Sequence, residues 1–325
     1  MKSKVFISQK IFDEAIAIVK QHFEVEADQN ETPFPPYLLK QRLQDKVGVI
    51  VLLTDRIDEE VLSHCPKLKI VSNVAVGYNN IDVEACTRRR IMVTNTPGVL
   101  DDTTADFTWA LLLATARHMV EADQYLRTLK WTGWKLMEFL GYDVHHKVLG
   151  ICGLGRIGQR VARRARGFDM QILYTDINRA APSVEEELGV RFVDKKTLLA
   201  ESDFLTLHIP LSPQTTHYIS KDELALMKPT SILINVSRGP VVDEKALVQA
   251  LQEGRIAGAG LNVYEREPEV EPGLLQMKNV VLAPHIASAS RETRLRMAMM
   301  AAENLVAGLI DKRPQHLVND KVIQW

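Results

Sequence analysis

Cysteine is scarce in this chain of 325 residues: there are three, Cys65, Cys86 and Cys152. An odd number, with neither CxxC nor metal-ligand spacing, argues against a disulfide framework and against a metal site. They read as reduced structural thiols of a cytosolic protein. Net charge is nearly absent too. Lys and Arg number 40 against 41 Asp and Glu, so nothing supports sequence-independent nucleic-acid binding, which draws its affinity from a basic surface. Long apolar runs are missing. The densest, Trp109 to Ala116, is interrupted by Thr115 and soon meets Arg117, well short of the roughly 18 residues of a membrane span. The start, MKSKVFISQKIFDE, has no apolar leader core, which argues against secretion and for a cytoplasmic protein. There is no internal repeat and no low-complexity tract. What remains is an ordinary globular composition, 46% hydrophobic and 25% charged, over a length that suits two domains.

The first hundred residues alternate short apolar runs with helical stretches. KVFIS (Lys4–Ser8), VGVIVLL (Val47–Leu53) and KIVSN (Lys69–Asn73) predict buried parallel strands, with helices over Ile11–His22 and Asp58–His64. Pro33, Pro35 and Pro36 mark a loop. Thr96-Pro97-Gly98 then punctuates the chain. A long helix is expected from Asp101 to Leu126, opened by Asp101, Asp102 and Thr103 as cap and first-turn residues. A second series follows: Val148–Cys152, Gln171–Asp176, Asp203–Pro210, Ser231–Ser237, Ala257–Val263 and Asn279–His285, closed by a helix over Ser290–Leu309. Such alternation predicts an α/β fold with parallel sheets.

One turn carries a specific chemistry. Gly153-Leu154-Gly155-Arg156-Ile157-Gly158 leaves an apolar strand and opens a helix, and the next strand ends at Asp176. This is the full dinucleotide fingerprint. Gly153 permits the tight turn, Gly155 admits a pyrophosphate to the backbone, and Gly158 allows close helix–strand packing. The helix N-terminus supplies free N–H groups and a partial positive charge. Asp176 suits the adenosine ribose hydroxyls and repels a 2′-phosphate, which favours NAD. Arg179, three residues on, keeps NADP open. The run Arg156, Arg160, Arg163, Arg164 and Arg166 reads as a solvated helix face, with Arg156 close enough to help hold a phosphate.

Three polar residues follow three later strands: Arg238 after ILINVS, Glu267 after AGLNV and His285 after VVLAP. The carboxyl ends of strands in a doubly wound sheet line its ligand crevice. One edge therefore collects an Arg, a Glu and a His.

INVSRGPVVDEKALVQAL, AGAGLNVYEREP, NVVLAPHIASA and LGICGLGRIG, in that family's order and spacing, resemble the D-isomer-specific 2-hydroxyacid dehydrogenases over essentially the whole chain. Leu129-Lys130-Trp131-Thr132-Gly133-Trp134 and Gly141-Tyr142 are similar to its glyoxylate/hydroxypyruvate and 2-ketogluconate reductase branch. The resemblance implies a Rossmann-type doubly wound sheet over residues 101–286. It also implies a smaller, discontinuous, flavodoxin-like substrate domain from residues 1–100 and 287–325, which closes over the first and excludes water. It makes His285 the acid/base, Glu267 its partner and Arg238 the substrate anchor. Reduction of a 2-oxo acid needs a hydride at the carbonyl carbon and a proton at its oxygen. An imidazolium can supply that proton, and a carboxylate on the other ring nitrogen favours the charged form. Arginine offers a planar fork to a carboxylate.

The resemblance carries the cofactor site onto Thr104, Ile157, Pro210, Thr215, Val236 and Asn262, and the substrate site onto Val76, Gly77 and Ser288. Trp134 matches a tryptophan that reaches the substrate from the neighbouring subunit, and a homodimer through helix 101–126 is implied. Phosphite dehydrogenases carry Lys where this chain has Val76, so phosphite oxidation is not expected. Asn262 departs from the pattern, where Asp is usual beside the nicotinamide carboxamide. That removes a negative charge and puts the pH profile and NADH affinity in question. Two alternatives share the motifs: an NAD-sensing corepressor, and a phosphoglycerate dehydrogenase lacking its regulatory domain.

Overall fold

A computed structural model describes residues 2–310 and 312–323. The chain divides into two compact units, Met1–Leu100 with Ala289–Trp325, and Asp101–Ser288.

The first unit is built on five strands: β1 (Lys4–Ile7), β2 (Glu24–Ala27), β3 (Gly48–Val51), β4 (Ile70–Asn73) and β5 (Met92–Thr94). Their order is β2-β1-β3-β4-β5 and every pairing is parallel, the flavodoxin-like arrangement. An all-parallel sheet needs cover on both faces, and β1 and β3 show why. Phe6, Val49 and Val51 pack with Leu39, Leu43 and Leu62 on one side. Val5, Ile7 and Ile50 pack with Ile16, Val19, Ala301 and Leu305 on the other. Half of that second cover comes from the tail helix Arg291–Leu309, capped by the Ser290 hydroxyl on the Thr293 N–H. The tail therefore completes the first hundred residues. Strands β2 and β5 had no clear signal: β2 reads EVEA, and β5 is three residues long.

The second unit has seven strands: β6 (Val148–Cys152), β7 (Gln171–Thr175), β8 (Val190–Phe192), β9 (Phe204–Leu207), β10 (Ile232–Asn235), β11 (Gly258–Leu261) and β12 (Val280–Leu282). They run β12-β11-β10-β9-β6-β7-β8, all parallel. The winding reverses between β6 and β9. That switch point is where such sheets open a crevice at their carboxyl ends.

The expected single helix over 101–126 is two helices. The first, Asp101–Ala116, stops because the Ala116 carbonyl accepts the Tyr142 N–H at 2.9 Å. His118 then turns left-handed (φ 51°), and a second helix runs over Met119–Arg127. The first helix is a core element. It buries Ala105, Trp109, Leu111 and Leu112, with Trp109 stacked on Phe168 at 4.7 Å. These residues pack within the helix's own unit. Exposed apolar surface lies instead on the segment after it, at Met119, Leu126, Leu129, Trp134 and Met137. The arginine run is an ion-pair ladder: Arg156 to Asp101, Arg160 to Asp102, Arg164 to Asp106 and Arg163 to Glu187. Among the described residues, no helix is long and apolar enough to cross a membrane.

Candidate active site

The glycine turn sits at the switch point of the second unit. Gly153 has φ +93°, and a Cβ there would lie 2.9 Å from the His208 carbonyl oxygen that follows β9. Only glycine serves both demands. A Cβ on Gly158 would come within 2.1 Å of the Gly153 carbonyl oxygen, whereas the space beside Gly155 is open. Gly155 is the N-cap of helix Arg156–Ala165 and has no side chain to satisfy the first N–H groups. This leaves an anion cradle. Asp176, at the end of β7, accepts the Leu154 N–H at 2.8 Å through one carboxylate oxygen, which fixes it beside the turn. Arg179 is taken: its Nε and Nη2 both bond to Glu185 at 2.9 Å. Arg156 is 68% exposed, and its Nε donates to Asp101 at 2.8 Å.

The later strands deliver the ionisable groups. His285 Nδ1 lies 2.8 Å from Glu267 Oε2, and Glu267 Oε1 accepts the Tyr264 N–H at 3.0 Å. Burial works to raise the Glu267 carboxyl. The His285 hydrogen bond and charge, the Tyr264 N–H and the Arg238 charge outweigh it and hold the group below the usual carboxylate range. Burial pulls the Arg238 guanidinium down, and the Glu267 charge opposes this. Arg238 Nη1 donates to the Ser237 carbonyl at 2.7 Å. The turn bearing it is shaped by Asn235, whose Nδ2 bonds the Arg238 carbonyl and whose Oδ1 accepts from Ser237.

His285 itself is in the left-handed region (φ 50°), a conformation that costs about 1–3 kcal/mol outside glycine. Asn262 holds it there. The Asn262 carbonyl accepts the His285 N–H at 2.9 Å and its Oδ1 accepts the Ile286 N–H at 2.7 Å. That assignment leaves Asn262 Nδ2 as a donor, fully buried and without a partner among the described residues. An unmet buried donor is expensive, and a carboxamide oxygen is the group that would meet it. The open cradle at Gly155, the tethered Asp176 and this donor fit a nicotinamide dinucleotide.

Other expected residues fall as follows. Thr104 is buried in helix Asp101–Ala116, and Ile157 is half-buried in the first turn after the glycines. Pro210 and Thr215 are linked across the loop after β9, where the Thr215 hydroxyl donates to the Pro210 carbonyl at 2.6 Å. Val236 is buried just past β10, and Ser288 is half-buried at the end of the unit. Val76 and Gly77 lie in the first unit, in the loop after β4. Trp134 is 80% exposed.

The structure adds groups that the motifs did not single out. His208 follows β9 with its Nε2 unpartnered among the described residues, and burial depresses its imidazole to about 3. His217 Nε2 lies 2.9 Å from Glu265 Oε1, a second His–Glu pair on the loop that carries Glu267. An available sign was the polar residue that ends apolar runs, as in LTLH and ILIN.

Residues 109–287 match the family model of the D-isomer specific 2-hydroxyacid dehydrogenase, NAD binding domain. The chain is 52% identical to the glyoxylate reductase of Korarchaeum cryptofilum over 100% of its own length and 98% of that protein. It is 51% identical to the glyoxylate reductase of Thermococcus kodakarensis, again over 100% and 98%. Its structure is similar to that of the NADPH-dependent glyoxylate/hydroxypyruvate reductase of Sinorhizobium meliloti in complex with NADP and malonate. The TM-score there is 0.87, with 32% identity over 99% of this chain and 98% of that one.

Proposed function

The chain belongs to the D-isomer specific 2-hydroxyacid dehydrogenases, and on that premise we propose that it reduces glyoxylate and hydroxypyruvate to their 2-hydroxy acids. It is an NAD(P)-dependent oxidoreductase acting on 2-oxo acids. The observation that carries the reading is the 2.8 Å contact between His285 Nδ1 and Glu267, which leaves Nε2 for a substrate oxygen. The alternatives, a corepressor and a phosphoglycerate dehydrogenase, are not favoured by relatives of reductase activity that match from end to end.

The bound dinucleotide supplies the hydride. Gly153, Gly155 and Gly158 with the following helix hold its pyrophosphate, Asp176 its ribose, and Asn262 Nδ2 its carboxamide. Thr104, Arg156, Ile157, Pro210, Thr215 and Val236 complete that site. Arg238 anchors the substrate carboxylate through its fork and polarises the oxo group. Val76 and Gly77 of the first unit, and Ser288 and Trp134, are the other residues assigned to the substrate. His285 holds at Nε2 the proton that passes to the oxo oxygen. Glu267, kept ionised at neutral pH, stabilises the imidazolium before transfer and fixes its ring.

NADH is the preferred donor, because Asp176 is tethered by the Leu154 N–H and would repel a 2′-phosphate, and Arg179 is engaged by Glu185. The enzyme acts in the cytoplasm as a homodimer through the helical region 101–126, which exposes Met119, Val120 and Leu126. The test is NADH and NADPH oxidation with glyoxylate, hydroxypyruvate, pyruvate and 2-ketogluconate. Glyoxylate and hydroxypyruvate with NADH should give the highest kcat/KM. Absence of turnover with every 2-oxo acid would overturn the reading.

A further inference from the structure

The loop after β4, Val74-Ala75-Val76-Gly77-Tyr78-Asn79-Asn80, is held by its carbonyl groups. The Ala75 carbonyl accepts the Thr96 N–H at 2.9 Å. The Val76 carbonyl accepts Asn95 Nδ2 at 2.8 Å, and the Gly77 carbonyl accepts Asn73 Nδ2 at 2.9 Å. Three successive peptide planes are thus tied into the fold by their oxygens. In a trans peptide the N–H points opposite to the carbonyl, so the N–H groups of Val76, Gly77 and Tyr78 face away from these anchors. None of the three has a hydrogen-bond acceptor among the described residues. Backbone N–H groups left free in this way can donate to an anion.

The anchors are themselves held. Asn95 donates its N–H to the His316 carbonyl at 3.2 Å, and its carbonyl accepts Asn304 Nδ2 at 3.2 Å. Asn73 ends β4 and is fully buried, yet its Oδ1 has no partner. A buried amide with an unpaired acceptor costs free energy that an apolar side chain would avoid. Its use is on the nitrogen side, at Gly77.

We infer that Asn73 and Asn95 are positioning residues for substrate carboxylate binding: each pins one loop carbonyl so that the N–H groups of Gly77 and Tyr78 are presented to the anion. The inference rests on the reading that this loop binds the carboxylate of a 2-oxo acid. Neither asparagine touches the substrate, so the effect belongs in KM.

The experiment compares Asn95→Ala, Asn95→Asp and Asn73→Ala with the wild type. Asn95→Asp keeps the shape and replaces the donor by an acceptor. The expected result is a rise of about tenfold in glyoxylate KM and in the oxalate dissociation constant for each variant, and at least as much for Asn95→Asp. kcat should stay within about threefold, and the NADH dissociation constant within about twofold. Folded Asn95 variants that bind glyoxylate and oxalate like the wild type would overturn the inference. So would kcat and NADH affinity falling in step with KM, the mark of a merely structural role. Should Asn73→Ala not fold, the half-buried Asn95 position decides alone. Oxalate binding by calorimetry with NADH present needs no turnover. A wild type that reduces no 2-oxo acid therefore counts against the proposed function, while the oxalate series still judges the asparagines.

Discussion

Each unit ends its parallel strands in polar residues, and the two sets differ in kind. In the five-stranded sheet the groups that hold the loop after β4 are amides, Asn73 and Asn95, which act on backbone carbonyls. The buried atoms without partners there are Asn73 Oδ1 and Thr96 Oγ1, and the buried Asp55 carboxylate past β3 is fully engaged by Ser8, Gln9 and the Leu52 N–H. At the edge of the seven-stranded sheet the groups are ionisable: Arg238, Glu267 and His285, with His208 and Asn262 contributing the unpartnered atoms. The amides that hold the loop after β4 are fixed dipoles, whose strength does not change with pH. The groups of the second edge hold a proton and a charge, which do. A parallel sheet aligns either kind for the same reason, since all its strands end on one side.

The largest expected effect lies on the ionisable edge. His285→Ala should lower kcat for glyoxylate reduction by at least about 100-fold while leaving the NADH dissociation constant within about twofold. A variant that instead changed only KM, as the asparagine variants should, would erase the contrast between the edges.

Glu267→Gln keeps the shape and removes the charge, and kcat should fall by about tenfold or more. The same variant tests linkage. The Glu267 carboxyl is held below its usual value in the folded protein, so its stabilising contribution is fully present above about pH 4.5 and is lost as pH falls through the lowered folded value. The melting temperature of Glu267→Gln should lie below that of the wild type at pH 7. The gap should close in acid, whereas a gap constant with pH would mean that the charge is immaterial.

Asp176→Ala should move the ratio of kcat/KM for NADPH over NADH upward by about tenfold, since the repulsion of a 2′-phosphate goes with the carboxylate. Unchanged cofactor preference would place discrimination elsewhere. The smallest effect is expected from Asn262→Asp. The Ile286 N–H keeps an acceptor, so the His285 turn survives, and only the orphaned donor becomes a charged acceptor. NADH affinity and the pH profile of kcat should shift by a few-fold; if both match the wild type, the group at this position is neutral.

Much of the ionisable edge was legible because its signals are local. The GLGRIG turn, the apolar strand before it and Asp176 after it are separated by fixed, short stretches of chain, and each of Arg238, Glu267 and His285 follows its own strand. Strands β6, β7 and β9 to β12 stood out as apolar runs for the same reason. The dipolar edge was harder to see. Asn95 matters through a carbonyl 19 residues away, and it is itself held by Asn304 and His316 from the tail.

The helix over 101–126 shows the limit most plainly. Its composition favours helix throughout, and local propensity has no means of registering that the Ala116 carbonyl meets the Tyr142 N–H. That single long-range bond competes with the next helical one and wins, so the buried helix ends and an exposed apolar segment begins. The amino-acid sequence by itself determined the α/β alternation, the dinucleotide turn and which residues stand at the strand ends, because these follow from periodicity and short spacing. Strand order, the return of the tail helix, the carbonyl anchors of the loop after β4 and the place of the apolar surface were decided only by tertiary structure. Each depends on hydrogen bonds or buried faces shared by residues far apart in the chain.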